Sequence, residues 1–312
     1  MSTTAAIAPA TRPTGPRNPG PSWGYRFLRT ADVLLPEFIY RPLRAIGTAI
    51  AMAGMKAQRR HSRDYLAQVL GRPPTTRDVF RHFFAFEEAL MFRLRVANGR
   101  HAPCTYGPGT EAFRAWMEHG EPALLGTMHI GVSDTLGFQL SAQAHRDIYL
   151  VRQRVSNSHD TEALSARMGG RLHCIWVNDP RDLLFALKEA AATDGAIALQ
   201  CDRLEFSART ETLEFLGAWR RFPFTIYHLA LIFDRPVIFS VGVPDRGHSS
   251  RLYASPRFAR RPGESKADAL ARARVHFQEF LSLVEGLLRE QPYLWFNFLP
   301  LNPVAPDPAP AA

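Results

Sequence analysis

The chain has 312 residues, of which 46% are hydrophobic and 21% charged, a balance that can bury a sizeable core and excludes a disordered or fibrous protein. Lys and Arg number 38 against 29 Asp and Glu, for a net charge of +9. That excess suits anionic surfaces, phosphorylated molecules or acidic carrier proteins without choosing among them, and the dispersed arginines carry no groove-reading motif that would point to nucleic acid. Cys104, Cys174 and Cys201 are widely spaced with no C-x-x-C, so neither a disulfide framework nor a metal site is indicated, and a reducing, cytoplasmic compartment is expected.

In chain order, Met1 to Pro21 is broken by prolines and reads as a disordered lead without a secretory signal. Residues 22–299 read as a single domain, made of a helical extension over 22–100 and an α/β core over 101–299, and 300–312 is a Pro/Ala tail. In the extension, Phe80, Phe83, Phe84, Met91 and Leu94 recur near helical spacing, and Thr75 with Asp78 forms a capping pair. The uncharged run Ala45 to Met55 is well short of the roughly 20 residues a spanning helix needs. Trp23, Tyr25, Phe27, Leu28, Val33, Leu34 and Leu35 are interleaved with Arg26 and Arg29 and followed by Arg41 and Arg44. This pattern predicts peripheral contact with an anionic membrane at the inner face of the cytoplasmic membrane.

After Gly120 short apolar runs alternate with helical stretches, which predicts a mixed central sheet flanked by helices. The strands are expected at Ala123–Met128, Ile148–Val151, Leu172–Val177, Ala196–Gln200 and Val237–Val241. Helices are expected from Asp179-Pro180 to near Gly195, after Pro223, and from Ala267 to Glu290.

The most informative stretch is Leu124-Leu125-Gly126-Thr127-Met128-His129-Ile130-Gly131-Val132-Ser133-Asp134-Thr135-Leu136. An apolar strand ends at a histidine, a glycine turn follows, and a carboxylate stands five residues after the histidine. Asp134 on Nδ1 of His129 would fix the tautomer and leave Nε2 as a general base. Such a base needs no enzymic nucleophile when an acceptor hydroxyl attacks an activated thioester. A histidine merely held by a cap aspartate is the plain alternative. Ser133 lies in Gly131-Val132-Ser133-Asp134-Thr135, which lacks the second glycine of a nucleophile elbow but leaves a serine hydrolase as a rival. A non-catalytic lipid-binding protein of the same fold is the other.

These residues resemble the H-x4-D/E block of the lysophospholipid acyltransferase superfamily, and their surroundings are most similar to the bacterial lipid A late (lauroyl/myristoyl) acyltransferases. Further blocks follow in the same order: Tyr149-Leu150-Val151-Arg152-Gln153-Arg154 with Asn157, Ala198-Leu199-Gln200-Cys201-Asp202, Phe215-Leu216-Gly217-Ala218, and Gln291-Pro292-Tyr293-Leu294-Trp295-Phe296. The chain departs from the lipid A enzymes at Asp134, where they carry glutamate, and at Asp202-Arg203, where they carry Asp-Gln. The resemblance implies transfer of an acyl group from acyl carrier protein or acyl-CoA to a hydroxyl or amine of a lipid-like acceptor, without a metal or redox cofactor. His129 and Asp134 would be catalytic.

Substrate-binding roles are expected for Arg152, Arg154, Asn157, Asp202 and Gly217. Arg152 and Arg154 alternate along a strand end, so one of them faces the site, where a guanidinium can hold a phosphate. Asp202 would orient an arginine or an acceptor hydroxyl, or simply cap a turn. Gly217 would supply a tight turn near the site.

Overall fold

The computed structural model describes residues 22–135, 146–153, 170–177, 180–204, 207 and 209–302. The expected lead, the expected tail beyond Asn302, Arg154 and Asn157 lie outside the described residues.

The chain opens with helices α1 (Ser22–Leu34), α2 (Glu37–Gly54), α3 (Lys56–Leu70) and α4 (Thr76–Ala97). Their boundaries follow from local chemistry. Pro36 precedes the first residue of α2, and Gly71 ends α3 in the left-handed conformation. Thr75 and Asp78 complete the expected capping box, each side chain accepting from the other's backbone N–H. Helix α2 packs mainly on α4, and its polarity is inverted for a helix in water. Tyr40, Arg44 and Thr48 are buried, whereas Ile39, Leu43, Ile46 and Ile50 point outward together with Phe38. Arg44 is ion-paired inside with Glu37 at 2.5 Å and Glu87 at 2.7 Å. The expectation that Arg44 meets lipid phosphates is therefore corrected, because its charge is consumed inside the helical layer.

The core holds β1 (Cys104–Tyr106), α5 (Glu111–His119), β2 (Leu124–Thr127), β3 (Ile148–Arg152), β4 (Leu172–Trp176), α6 (Pro180–Ala191) and β5 (Ala196–Gln200). It continues with β6 (Thr210–Phe215), β7 (Ala218–Pro223), α7 (Thr225–Phe233), β8 (Val237–Asp245), β9 (Ser249–Ala254) and α8 (Lys266–Glu290). The fold is α/β, with a seven-stranded mixed sheet in the order β1-β9-β8-β2-β5-β3-β4. Strands β8, β2, β5, β3 and β4 run parallel, and β9 runs antiparallel to β8. A parallel sheet is covered on both faces, which explains the near-continuous apolar runs from which its strands are legible. On one face Phe113 and Trp116 of α5 pack against Leu125, Ile148 and Ile238. On the other, Phe277, Phe280, Leu281 and Val284 of α8 join Tyr227 of α7, Phe239 of β8 and residues of α3 and α4.

All five expected sheet strands are present to within a residue or two at their starts, and β8 runs on to Asp245. Strands β1 and β9 and the separate β6–β7 hairpin are additions. The hairpin turns at Leu216 and Gly217, with φ of 51° and 69°, the left-handed pair that a two-residue connection needs. Its Leu216 N–H is held by Glu285 of α8 at 2.7 Å.

Candidate functional site

Ligand sites in open α/β sheets lie off the carboxyl ends of the strands, and here that end is built by β2 and β5. The two strands pair in register, Thr127 opposite Gln200. The second residue beyond each strand end is His129 on one side and Asp202 on the other, and they meet. His129 Nδ1 donates to Asp202 Oδ1 at 2.8 Å, and the His129 backbone N–H donates to Asp202 Oδ2 at 3.2 Å. The whole Asp202 carboxylate thus serves one residue. It is fully buried. Burial alone would raise its pKa, but the His129 ring and its hydrogen bond, with Arg203 beside it, outweigh that and hold the carboxyl below the usual carboxylate range.

This corrects the expected pairing. Asp134 is not the partner of His129; its Oδ1 accepts from Gln200 Nε2 at 3.0 Å and its Oδ2 from Arg93 of α4 at 3.3 Å. The helical turn that begins at Ser133 carries Asp134 outward, leaving its side chain 44% exposed. Its surroundings desolvate it, but Arg93, then His129, Arg152 and Arg203, draw its pKa below the ordinary value.

The turn carrying His129 is clamped from several sides. Gly131 has φ of 50° and a Cβ there would lie 2.6 Å from the Gly242 carbonyl, so glycine alone lets the turn lie against β8. Ser133 is buried, donates to the Ile130 carbonyl at 2.6 Å and accepts from the Gly242 N–H at 3.0 Å. Both functions of the hydroxyl are spent on backbone. From the other side the C-terminal segment returns: Phe296 N–H donates to the His129 carbonyl at 2.7 Å and Gly131 N–H to the Leu294 carbonyl at 2.9 Å. Asn297 accepts from Arg203 Nε at 3.0 Å and donates to the Asp202 carbonyl at 3.3 Å. The Gln291–Phe296 stretch singled out by the sequence is therefore a brace for the histidine turn.

A cavity of about 170 Å³ opens beside the histidine. Its polar rim includes His129, Arg152, Gln153, Gln200 and Arg203, and its walls are Val151, Val177, Leu183, Leu187, Leu199, Ile226 and Leu229. Arg152 therefore reaches the cavity, and Arg203, which the sequence offered only as a departure from the lipid A pattern, joins it. Asp202 is in the site but orients the imidazole. Gly217 does not line the cavity; it is the turn glycine of the hairpin over α8. Arg93 was missed because its only link to the site is spatial.

An imidazole with Nδ1–H fixed on a buried carboxylate has Nε2 available as a proton acceptor and a counter-charge for the imidazolium that forms. The greasy walls suit a linear hydrocarbon, and the guanidinium rim suits an anionic group attached to it. Compared with known proteins, the sequence matches no protein-family model and none of the curated proteins.

Proposed function

We propose that the protein is an acyltransferase that moves an acyl group from a thioester donor, acyl carrier protein or acyl-CoA, to a hydroxyl or amine of a lipid-like acceptor. The observation that carries this reading is the oriented His129–Asp202 pair at the lip of an apolar cavity, beside a serine whose hydroxyl is committed to backbone. His129 Nε2 takes the proton of the acceptor hydroxyl as its oxygen attacks the thioester carbonyl. The tetrahedral intermediate collapses with loss of the thiolate, which recovers the proton from the imidazolium. Asp202 holds the ring and balances its transient charge. The acyl chain lies along Leu183, Leu187, Ile226 and Leu229, and Arg152 and Arg203 face the donor or acceptor phosphate.

The acceptor is delivered from a membrane surface. No helix among the described residues is long and apolar enough to cross a membrane. The outward apolar row of α2, continued by the exposed Phe27, Val33 and Leu34 of α1, is the surface that would lie in the headgroup boundary, at the inner face of the cytoplasmic membrane where acyl thioesters are made.

The test is incubation with acyl-CoA and acyl carrier protein donors of graded chain length and extracted lipids, following thiol release and acyl incorporation. Incorporation that His129→Ala abolishes supports the reading. Thiol release that persists in His129→Ala, or the absence of incorporation from every donor, rejects it.

A further inference from the structure

The carboxylate that stands five residues after the histidine has a different job from the one its spacing suggests. Asp134 joins two parts of the molecule that are distant in sequence: Arg93 near the end of α4 and Gln200 at the end of β5. Gln200 lines the cavity and stands two residues before Asp202. Helix α4, in turn, is the element on which α2 packs with its apolar face outward. A continuous path of contacts therefore runs from the outer face of α2 through α4, Arg93, Asp134 and Gln200 to the strand end that holds the imidazole.

We propose that Asp134 is a positioning residue: with Arg93 and Gln200 it clasps the helical layer to the carboxyl edge of the sheet and fixes the apolar face of α2 relative to His129. The proposal rests on the acyl-transfer reading for its consequence, namely alignment of an acceptor arriving from a lipid surface. Its geometry stands apart from that reading. The clasp is too exposed to add much to stability. Its effect is alignment, to which reaction rates are steeply sensitive.

Two readouts test it. The first is the ¹H–¹⁵N resonance of the His129 ring Nδ1–H, assigned by its disappearance in His129→Ala. It should persist in Asp134→Ala and in Arg93→Gln and be lost or displaced in Asp202→Asn. The second is thiol release from lauroyl-CoA in the presence of anionic vesicles containing lysophosphatidic acid. Asp134→Ala and Arg93→Gln should each slow it by a similar factor, on the order of 10-fold to 100-fold, the double variant should be no slower than either, and Asp134→Glu should restore most of the rate. Amide exchange at the end of α4 should quicken equally in both single variants. Loss of the Nδ1–H resonance in Asp134→Ala, losses that multiply in the double variant, or unchanged exchange in α4 would each overturn the clasp. If wild type releases no more thiol than His129→Ala, the acyl-transfer reading fails with this donor, and the resonance and exchange measurements still decide the clasp.

Discussion

His82 of α4 donates from Nε2 to the Trp295 carbonyl at 2.6 Å while its Nδ1 accepts from the Ser62 hydroxyl at 2.8 Å. Both ring nitrogens are therefore used by the neutral ring, in a setting where His82 is 1% exposed. Burial depresses its pKa from 6.5 to about 4, against a smaller opposing effect of the Trp295 carbonyl. Because the folded-state value lies below the unfolded one, the unfolded chain binds more protons between those limits, and stability falls as pH drops from 6.5 toward 4. The expected loss is about 3 kcal/mol across that window. Urea unfolding at stepped pH should show it, and His82→Gln, though less stable at neutral pH, should show a shallower dependence.

Ser133 provides a sharp contrast between structure and catalysis. Removing its hydroxyl leaves the Gly242 N–H buried without its partner, which costs about 1–3 kcal/mol. Ser133→Ala should therefore lower the melting temperature and keep turnover at temperatures where the variant is folded. A folded but inactive Ser133→Ala would restore the hydrolase.

Leu229 of α7 is half-buried on the cavity wall. Leu229→Trp should occupy volume that the distal end of a long acyl chain needs, shifting the preferred donor toward shorter chains with little effect on the shortest. Competition between two donors of different length in one reaction measures the ratio directly. An unchanged ratio would move the acyl chain elsewhere.

On α2, Ile39, Leu43, Ile46 and Ile50 form a row that faces away from α4. Each aliphatic side chain moved fully out of water is worth roughly 1.5–3 kcal/mol, so changing all four to Ser or Gln should release the protein from anionic vesicles in a flotation assay. The interior contacts of Tyr40 and Arg44 are untouched, and the circular dichroism should remain that of wild type. Vesicle binding that survives these changes would shift attachment to α1.

The fold was legible where the sequence is periodic and buried: the strand at Ala196–Gln200 emerges from an apolar run, and the helix expected over Ala267–Glu290 from amphipathic spacing, with its observed start at Lys266. Strands β6 and β7 were not, because Thr210–Phe215 and Ala218–Pro223 mix polar and apolar residues on a hairpin with one covered side. For the site, sequence nearness drew attention to Asp134, while strand pairing chose Asp202. The available signal was symmetrical: His129 and Asp202 each lie two residues past a strand end. That coincidence acquires meaning only once β2 and β5 are known to be neighbours, and strand order is set by long-range packing that a single sequence does not display.

The brace behind the histidine turn also dictates when the site can exist. His129 and Asp202 are 73 residues apart, while His82 and Trp295 are separated by 213. During synthesis, β2 and β5 leave the ribosome long before the Leu294–Asn297 segment that ties the turn down. A nascent chain can collapse its helical layer and pair its early strands, yet its histidine turn has no backstop until synthesis has passed Asn297. At about 5–20 residues per second the stretch from Asp202 to Asn297 takes several seconds, and within that interval Ile226 and Leu229, which complete the cavity walls, are also still to be made. The histidine turn thus receives its last backbone ties in one late step of chain docking, after both residues of the dyad have been made.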